Sequence, residues 1–121
     1  MRVMMMIKGD RERGHVPSDE LLSEMGKYNE ELSKAGVLVD LGALHWSAEG
    51  VRVEFFRGKR SVIKGPFGEP KEIVAGYWIL HVKSMDEAIE WAKRLPFEAG
   101  GEPEAEGEIE IRQLFELEKL S

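Results

Sequence analysis

The chain has 121 residues, 42% of them hydrophobic and 33% charged, with a formal net charge of -6. That length fits one domain over residues 1–121, and the composition is too apolar for disorder and too evenly charged for a membrane protein, so a soluble globule is expected. The acidic excess has the wrong sign for a surface that tracks nucleic-acid phosphates, and zero cysteines exclude disulfides, thiolate metal centres and a Cys nucleophile, with a reducing cytoplasm as the default compartment.

The opening MRVMMMIK is too short for a signal peptide's apolar region or a membrane span and reads as mature structure. Val3 to Ile7 is an uninterrupted apolar run, expected as a strand buried on both faces. Gly9 to Pro17 is a polar loop. Ser18 caps a helix with Asp19 and Glu20 at its positive end; Leu21, Leu22, Met25, Tyr28, Leu32 and Ala35 form its apolar stripe, and Gly36 stops it. Val37 to Leu44 is a β-branched strand in which Gly42 marks a kink or the close approach of another backbone. Val51 to Arg57 and Ser61 to Lys64 flank a turn at Gly58 and predict a hairpin. After the breaker GPFGEPKE, Ile73 to Val82 carries large residues at both parities, Tyr77 and Ile79 on one face, Trp78 and Leu80 on the other. Ser84 and Glu87 form a capping box for a second helix bearing Ala88, Ile89, Ala92 and Leu95, closed by Pro96. Glu98 to Gly107 reads as a solvated acidic loop. In the last strand Ile109, Ile111, Phe115 and Leu117 share a face with one polar intruder, Gln113, which needs a partner.

The element order β-α-β-β-β-β-α-β predicts an α+β, ferredoxin-like sandwich with a hairpin inserted. Two helices cover only one face of such a sheet, yet two strands are apolar on both. Leaving Trp78, Leu80 and Val82 in water would forfeit roughly 25 cal/mol for each Å² of apolar area, so a homodimer paired face to face is expected.

The stretch GPFGEPKEIVAGYWILHVKSMDEAIEWAKRLPF resembles the motif of the DGPF group within the YCII-related family, and MRVMMMIKGD, YNEELSKAGVLVD, LHWSAEGVRV and GEIEIRQLFE resemble its corresponding stretches. The resemblance covers essentially the whole chain. It implies a ferredoxin-like fold that dimerises into an α/β barrel, and it says little about activity. Some relatives carry a His-Asp pair in a pocket, one branch includes a dehydrochlorinase acting on a hydroxylated chloroaromatic ring, and DGPF members are associated with alternative sigma factors. Several positions depart from the pattern. Lys64 stands where the motif has Asp, Gly42, Ala43 and Leu44 replace an acidic stretch before His45 and Trp46, and Leu95 replaces the usual cysteine. No pair matches the His-Asp arrangement, so no dyad is transferred, and a redesigned member stays open beside a natural one.

The candidate catalytic residues are His45, His81 and Lys64. Imidazole suits proton transfer at neutral pH, and a desolvated lysine can act as base or amine nucleophile. Lys8, Glu69, Lys71 and Gln113 are candidates to orient an anionic or phenolic ligand, and Trp46, Tyr77 and Trp78 to wall it. The plainer readings are an interface histidine for His81, surface ion pairs around Lys64 and Lys71, and core packing for the aromatics. His15, His45 and His81 fall on three elements without HxH or HxxxH spacing, so no metal is expected. Phosphate-loop, dinucleotide, esterase and calcium signatures are missing, so no cofactor is expected. A pocket protein with proton-transfer or lyase chemistry, a noncatalytic interaction module and an engineered scaffold are the three functional readings. Whether the chain is an enzyme is left open.

Overall fold

The computed structural model describes residues 1–10, 18–97 and 107–116. Its elements are β1 (Arg2–Lys8), α1 (Asp19–Lys34), β2 (Leu38–Ala43), β3 (Val51–Phe56), β4 (Lys59–Lys64), β5 (Val74–His81), α2 (Met85–Lys93) and β6 (Glu108–Gln113), with short 3₁₀ turns at Ser47–Glu49 and Pro70–Glu72. Both helix starts follow their capping residues. The Ser18 side chain accepts the Leu21 N–H at 3.1 Å, and that of Ser84 accepts the Glu87 N–H at 3.2 Å while Glu87 reaches back to the Lys83 N–H at 3.1 Å. α1 ends just before Gly36, whose φ of 75° breaks the helical path.

Four strands form one antiparallel sheet in the order β2-β5-β1-β6, so the two most apolar strands are its centre. With the β3–β4 pair set aside, this is the arrangement of an α+β, ferredoxin-like sandwich. Val3 and Met5 of β1 and Trp78 and Leu80 of β5 meet Tyr28 and Leu32 of α1 and Ala88 of α2 in the buried core. Tyr28 is the hub of that layer. Its hydroxyl donates to the Trp91 carbonyl at 2.7 Å, and its ring stands edge-on to Trp78 at 6.0 Å and to Trp91 at 6.4 Å. Burial pushes the Tyr28 hydroxyl pKa up, the neighbouring Arg94 opposing and Glu31 reinforcing the shift. Trp78 Nε1 donates to Asn29 Oδ1 at 2.8 Å, so its polar edge is satisfied inside the core.

This placement corrects the expectation about which face lacks cover. The helices of the same chain bury Trp78, Leu80 and Val82, and Tyr77, Ile79, Met4 and Met6, all half-buried, take the opposite face, which among the described residues no helix covers. Periodicity separates the two faces of a strand without saying which one meets the helices. His81, expected on an apolar face, is exposed at the strand's end.

β6 is also shorter than its apolar pattern. The Leu114 N–H donates to the Arg2 carbonyl at 2.9 Å, the last bond β1 offers, and Phe115 beyond it is exposed. Leu117, His15 and the acidic stretch from 98 to 106 lie outside the described residues.

The hairpin forms a separate two-stranded sheet. Arg57 and Gly58 take φ of 47° and 81°, the paired positive values of a type I′ turn, so β3 ends at Phe56, one residue before the expected Arg57, and β4 starts at Lys59, two residues before the expected Ser61. Every residue from Val51 to Lys64 is exposed. Among the described residues no helix is long and apolar enough to cross a membrane.

Candidate functional site

Directly paired residues of neighbouring strands share a face, so the sheet register maps the uncovered surface. Met4 lies opposite Ile79 and Arg112, Met6 opposite Tyr77 and Glu110, and Lys8 opposite Glu108. The two central strands are apolar on this face, and the edge strands carry charge beside them, Arg112 and Glu110 on β6 and Asp40 on β2. At one end Lys8 Nζ lies 3.6 Å from Glu110 Oε1, with the Lys8 side chain only 15% exposed. Tyr77 lies across Gly42 of β2, where a Cβ would come within 2.7 Å of the ring. The close approach expected at Gly42 is therefore made by a side chain, and the irregularity of β2 falls between Leu38 and Asp40.

Beyond Lys8 and the end of β2, three loops are tied together. The Gly9 N–H donates to the Ile73 carbonyl at 2.7 Å and Leu44 N–H to that of Ala75 at 2.9 Å, which fixes both strand ends against the start of β5. The buried Ser47 then links the loops. Its backbone N–H donates to Asp10 Oδ1 at 2.7 Å, its hydroxyl donates to Asp10 Oδ2, and its Oγ accepts the Phe67 N–H at 3.3 Å. The cis Gly65–Pro66 bond lies in the same junction, where Gly65 N–H donates to the Gly50 carbonyl at 3.0 Å. A Cβ at Gly65 would run into the Ser47 carbonyl, so only glycine allows this approach. Arg52 covers the Phe67 ring at 4.2 Å and closes the outer side.

The Ser47 hydroxyl donates to a carboxylate and accepts from an amide, which makes it a latch between loops; a nucleophilic serine would face an imidazole base. The chemistry available at this end belongs to its neighbours. His45 is exposed, its ring edge-on to Trp46 at 5.8 Å. Trp46 Nε1 is buried without an acceptor among the described residues, a donor that a ligand oxygen could satisfy. Lys8 brings a cation and Tyr77 a phenol from the adjoining sheet face.

The sequence-derived candidates therefore divide. Lys8, His45, Trp46 and Tyr77 come from the end of the sheet at Val74, where Lys8 and the end of β2 meet β5. Lys64 is exposed at the base of the hairpin, one residue before Gly65, and Glu69 and Lys71 are exposed around the following 3₁₀ turn. His81 pairs with Arg2 at the opposite end of β5, about 20 Å from Val74 at the rise of an extended strand. Trp78 is under the helices, and Gln113 is exposed where β6 ends opposite Val3. Asp10 and Ser47 were not singled out from sequence, because neither carries a local signal and they lie 37 residues apart. Among the described residues no three His, Asp or Glu side chains are grouped as a metal centre.

The YCII-related domain family matches residues 1–118 of the chain. Among curated proteins none matches it.

Proposed function

The chain belongs to the YCII-related domain family, and from that premise we propose that it acts as a homodimer, paired through the uncovered sheet face into an α/β barrel of the DGPF kind, whose pocket takes a small anionic or aromatic molecule. The observation that carries this reading is the uncovered face itself, Met4, Met6, Tyr77 and Ile79 flanked by charge. An apolar patch rimmed by polar groups on an otherwise packed domain is the usual mark of a contact or binding surface. A second sheet laid over it encloses Lys8 and Tyr77 beside the loop end, where Trp46 offers an unpaired N–H and His45 an imidazole. In that pocket Lys8 attracts the anion, Tyr77 and Trp46 flank its ring, and His45 moves the proton in a proton-transfer or lyase step. His81, at the far end of β5, has no part in the step.

Calorimetric titration with 4-nitrophenolate tests the pocket. Binding is expected in the wild type and weakened at least tenfold in Lys8→Ala and His45→Ala. Equal affinity in all three proteins overturns the assignment.

A further inference from the structure

The β3–β4 hairpin is the part of the molecule that the sandwich does not explain. An isolated two-stranded hairpin is marginal in water, and this one makes no continuous sheet with the rest of the chain. Its register puts Val51, Val53 and Phe55 of β3 on one face with Val62 of β4, and Lys64 and Arg60 on the same face opposite Val51 and Phe55. Those side chains are outward, with Val53 at 49%, Phe55 at 70% and Val62 at 66% exposure. Together they present roughly 400 Å² of apolar surface, the size of the largest patch on a typical monomer, which is often functional. The hairpin also differs in charge. Arg52, Arg57, Lys59, Arg60 and Lys64 stand against the single acid Glu54, in a chain whose net charge is -6. The remainder of the chain is therefore more acidic than the whole.

We propose that the hairpin is an arm that docks on a second copy of this chain, laying its Val51–Val53–Phe55–Val62 face on the acidic body of the partner. The inference rests on the homodimer reading above and adds a second contact to it. A second copy supplies both chemistries the arm lacks a match for. Its body carries the excess acid, and its edge strand β2 leaves Val39 and Leu41 exposed with Asp40 between them, followed by exposed Leu44. In a two-fold dimer the contact occurs twice. Two arms and the surfaces they cover then total roughly 1,600 Å², the standard size of a stable interface. The net charge of -6 tells against a nucleic-acid strand, whereas an acidic and partly apolar protein surface matches both the valines and the cations Arg60 and Lys64 of this face.

Sedimentation equilibrium of the full chain, with hydrogen exchange of the β3–β4 amides, tests the arm. The wild type is expected to dimerise at micromolar concentration, more weakly as salt rises, with the arm amides losing protection on dilution. Val53→Asp/Val62→Asp is expected to raise the dimer Kd at least a hundredfold, and Val53→Thr/Val62→Thr, which keeps β-branched residues in the strands, at least tenfold. A wild-type monomer at 100 µM overturns the arm together with the homodimer. A wild-type dimer whose Kd is unchanged in both arm variants overturns the arm alone. If Met6→Asp/Ile79→Asp leaves the dimer intact while the arm variants dissociate it, the arm stands and the sheet-face reading falls. Binding of a single-stranded 20-mer DNA by a monomeric wild type, lost in Arg57→Glu/Arg60→Glu, overturns it in favour of a nucleic-acid partner.

Discussion

The four-stranded sheet with its helices and the β3–β4 hairpin use the same residue types to opposite ends. In the sandwich Val3, Met5, Leu32 and Leu80 are fully enclosed, and the polar groups among them, Tyr28 and Trp78, each have a hydrogen-bond partner. In the hairpin Val53, Phe55 and Val62 face outward, with Arg60 at 5.1 Å over the Phe55 ring and Arg57 at 5.2 Å over Phe56. Apolar content therefore has two meanings within one chain. Where helices return over a sheet it closes a core, and where the described residues offer no second layer it leaves apolar side chains in contact with solvent.

The largest expected effect follows from the enclosed side. Leu80→Ala empties a fully buried position between the helices and β1, and large-to-small changes in such sites cost about 2–5 kcal/mol. Val53→Ala, measured by denaturation of the monomer, is expected within about 0.5 kcal/mol of wild type because it removes surface already in water. Similar losses from both substitutions would mean that the hairpin is packed against the body, and the contrast between the two regions would fail.

The second test concerns pH and applies only to the sandwich. Tyr28→Phe removes the hydroxyl that joins α1 to the Trp91 carbonyl, an expected loss of about 1 kcal/mol. In the unfolded chain a tyrosine titrates near about pH 10, whereas burial raises the folded value. The protonated hydroxyl is favoured by folding, so its contribution is complete below the unfolded pKa and is lost as pH rises towards the folded one. Wild type should therefore lose stability above about pH 10 more steeply than Tyr28→Phe, as read from melting temperatures between pH 8 and 11.5. Parallel profiles for the two proteins would place Tyr28 in water in the folded state.

What could be read from the sequence follows from the range of the interactions. Ser18 and Ser84 announce their helices because a cap acts on amides three residues away, and Arg57–Gly58 announces the hairpin because a two-residue turn is a local object. The central strands are equally visible, since unbroken apolar runs have no better place. The choice between their two faces was not visible. Trp78 and Tyr77 are adjacent and both aromatic, and only the packing of α1, with Asn29 beneath the indole, decides which goes inward. The latch of Asp10 and Ser47 was hidden for the same reason. Its partners come from loops after two different strands, and nothing near either residue requires the other.

The smallest expected effect belongs to the turn and tests how independent the hairpin is. Arg57 holds a left-handed backbone at φ 47°, a conformation that costs a residue with a Cβ roughly 1 kcal/mol and that asparagine tolerates better. Arg57→Asn builds the Asn-Gly pair favoured in type I′ turns but removes the guanidinium from the Phe56 ring, a loss of about 0.5 kcal/mol at an exposed site. The balance is a gain of a few tenths of a kcal/mol, confined to the hairpin. Slower hydrogen exchange across β3 and β4 in the monomer, with the melting temperature of the sandwich unchanged, is the expected result. A shift in melting temperature that matches the gain in amide protection would show the two regions unfolding as one unit. The hairpin would then be part of the core's cooperativity, and its exposed face would owe its order to the body that carries it.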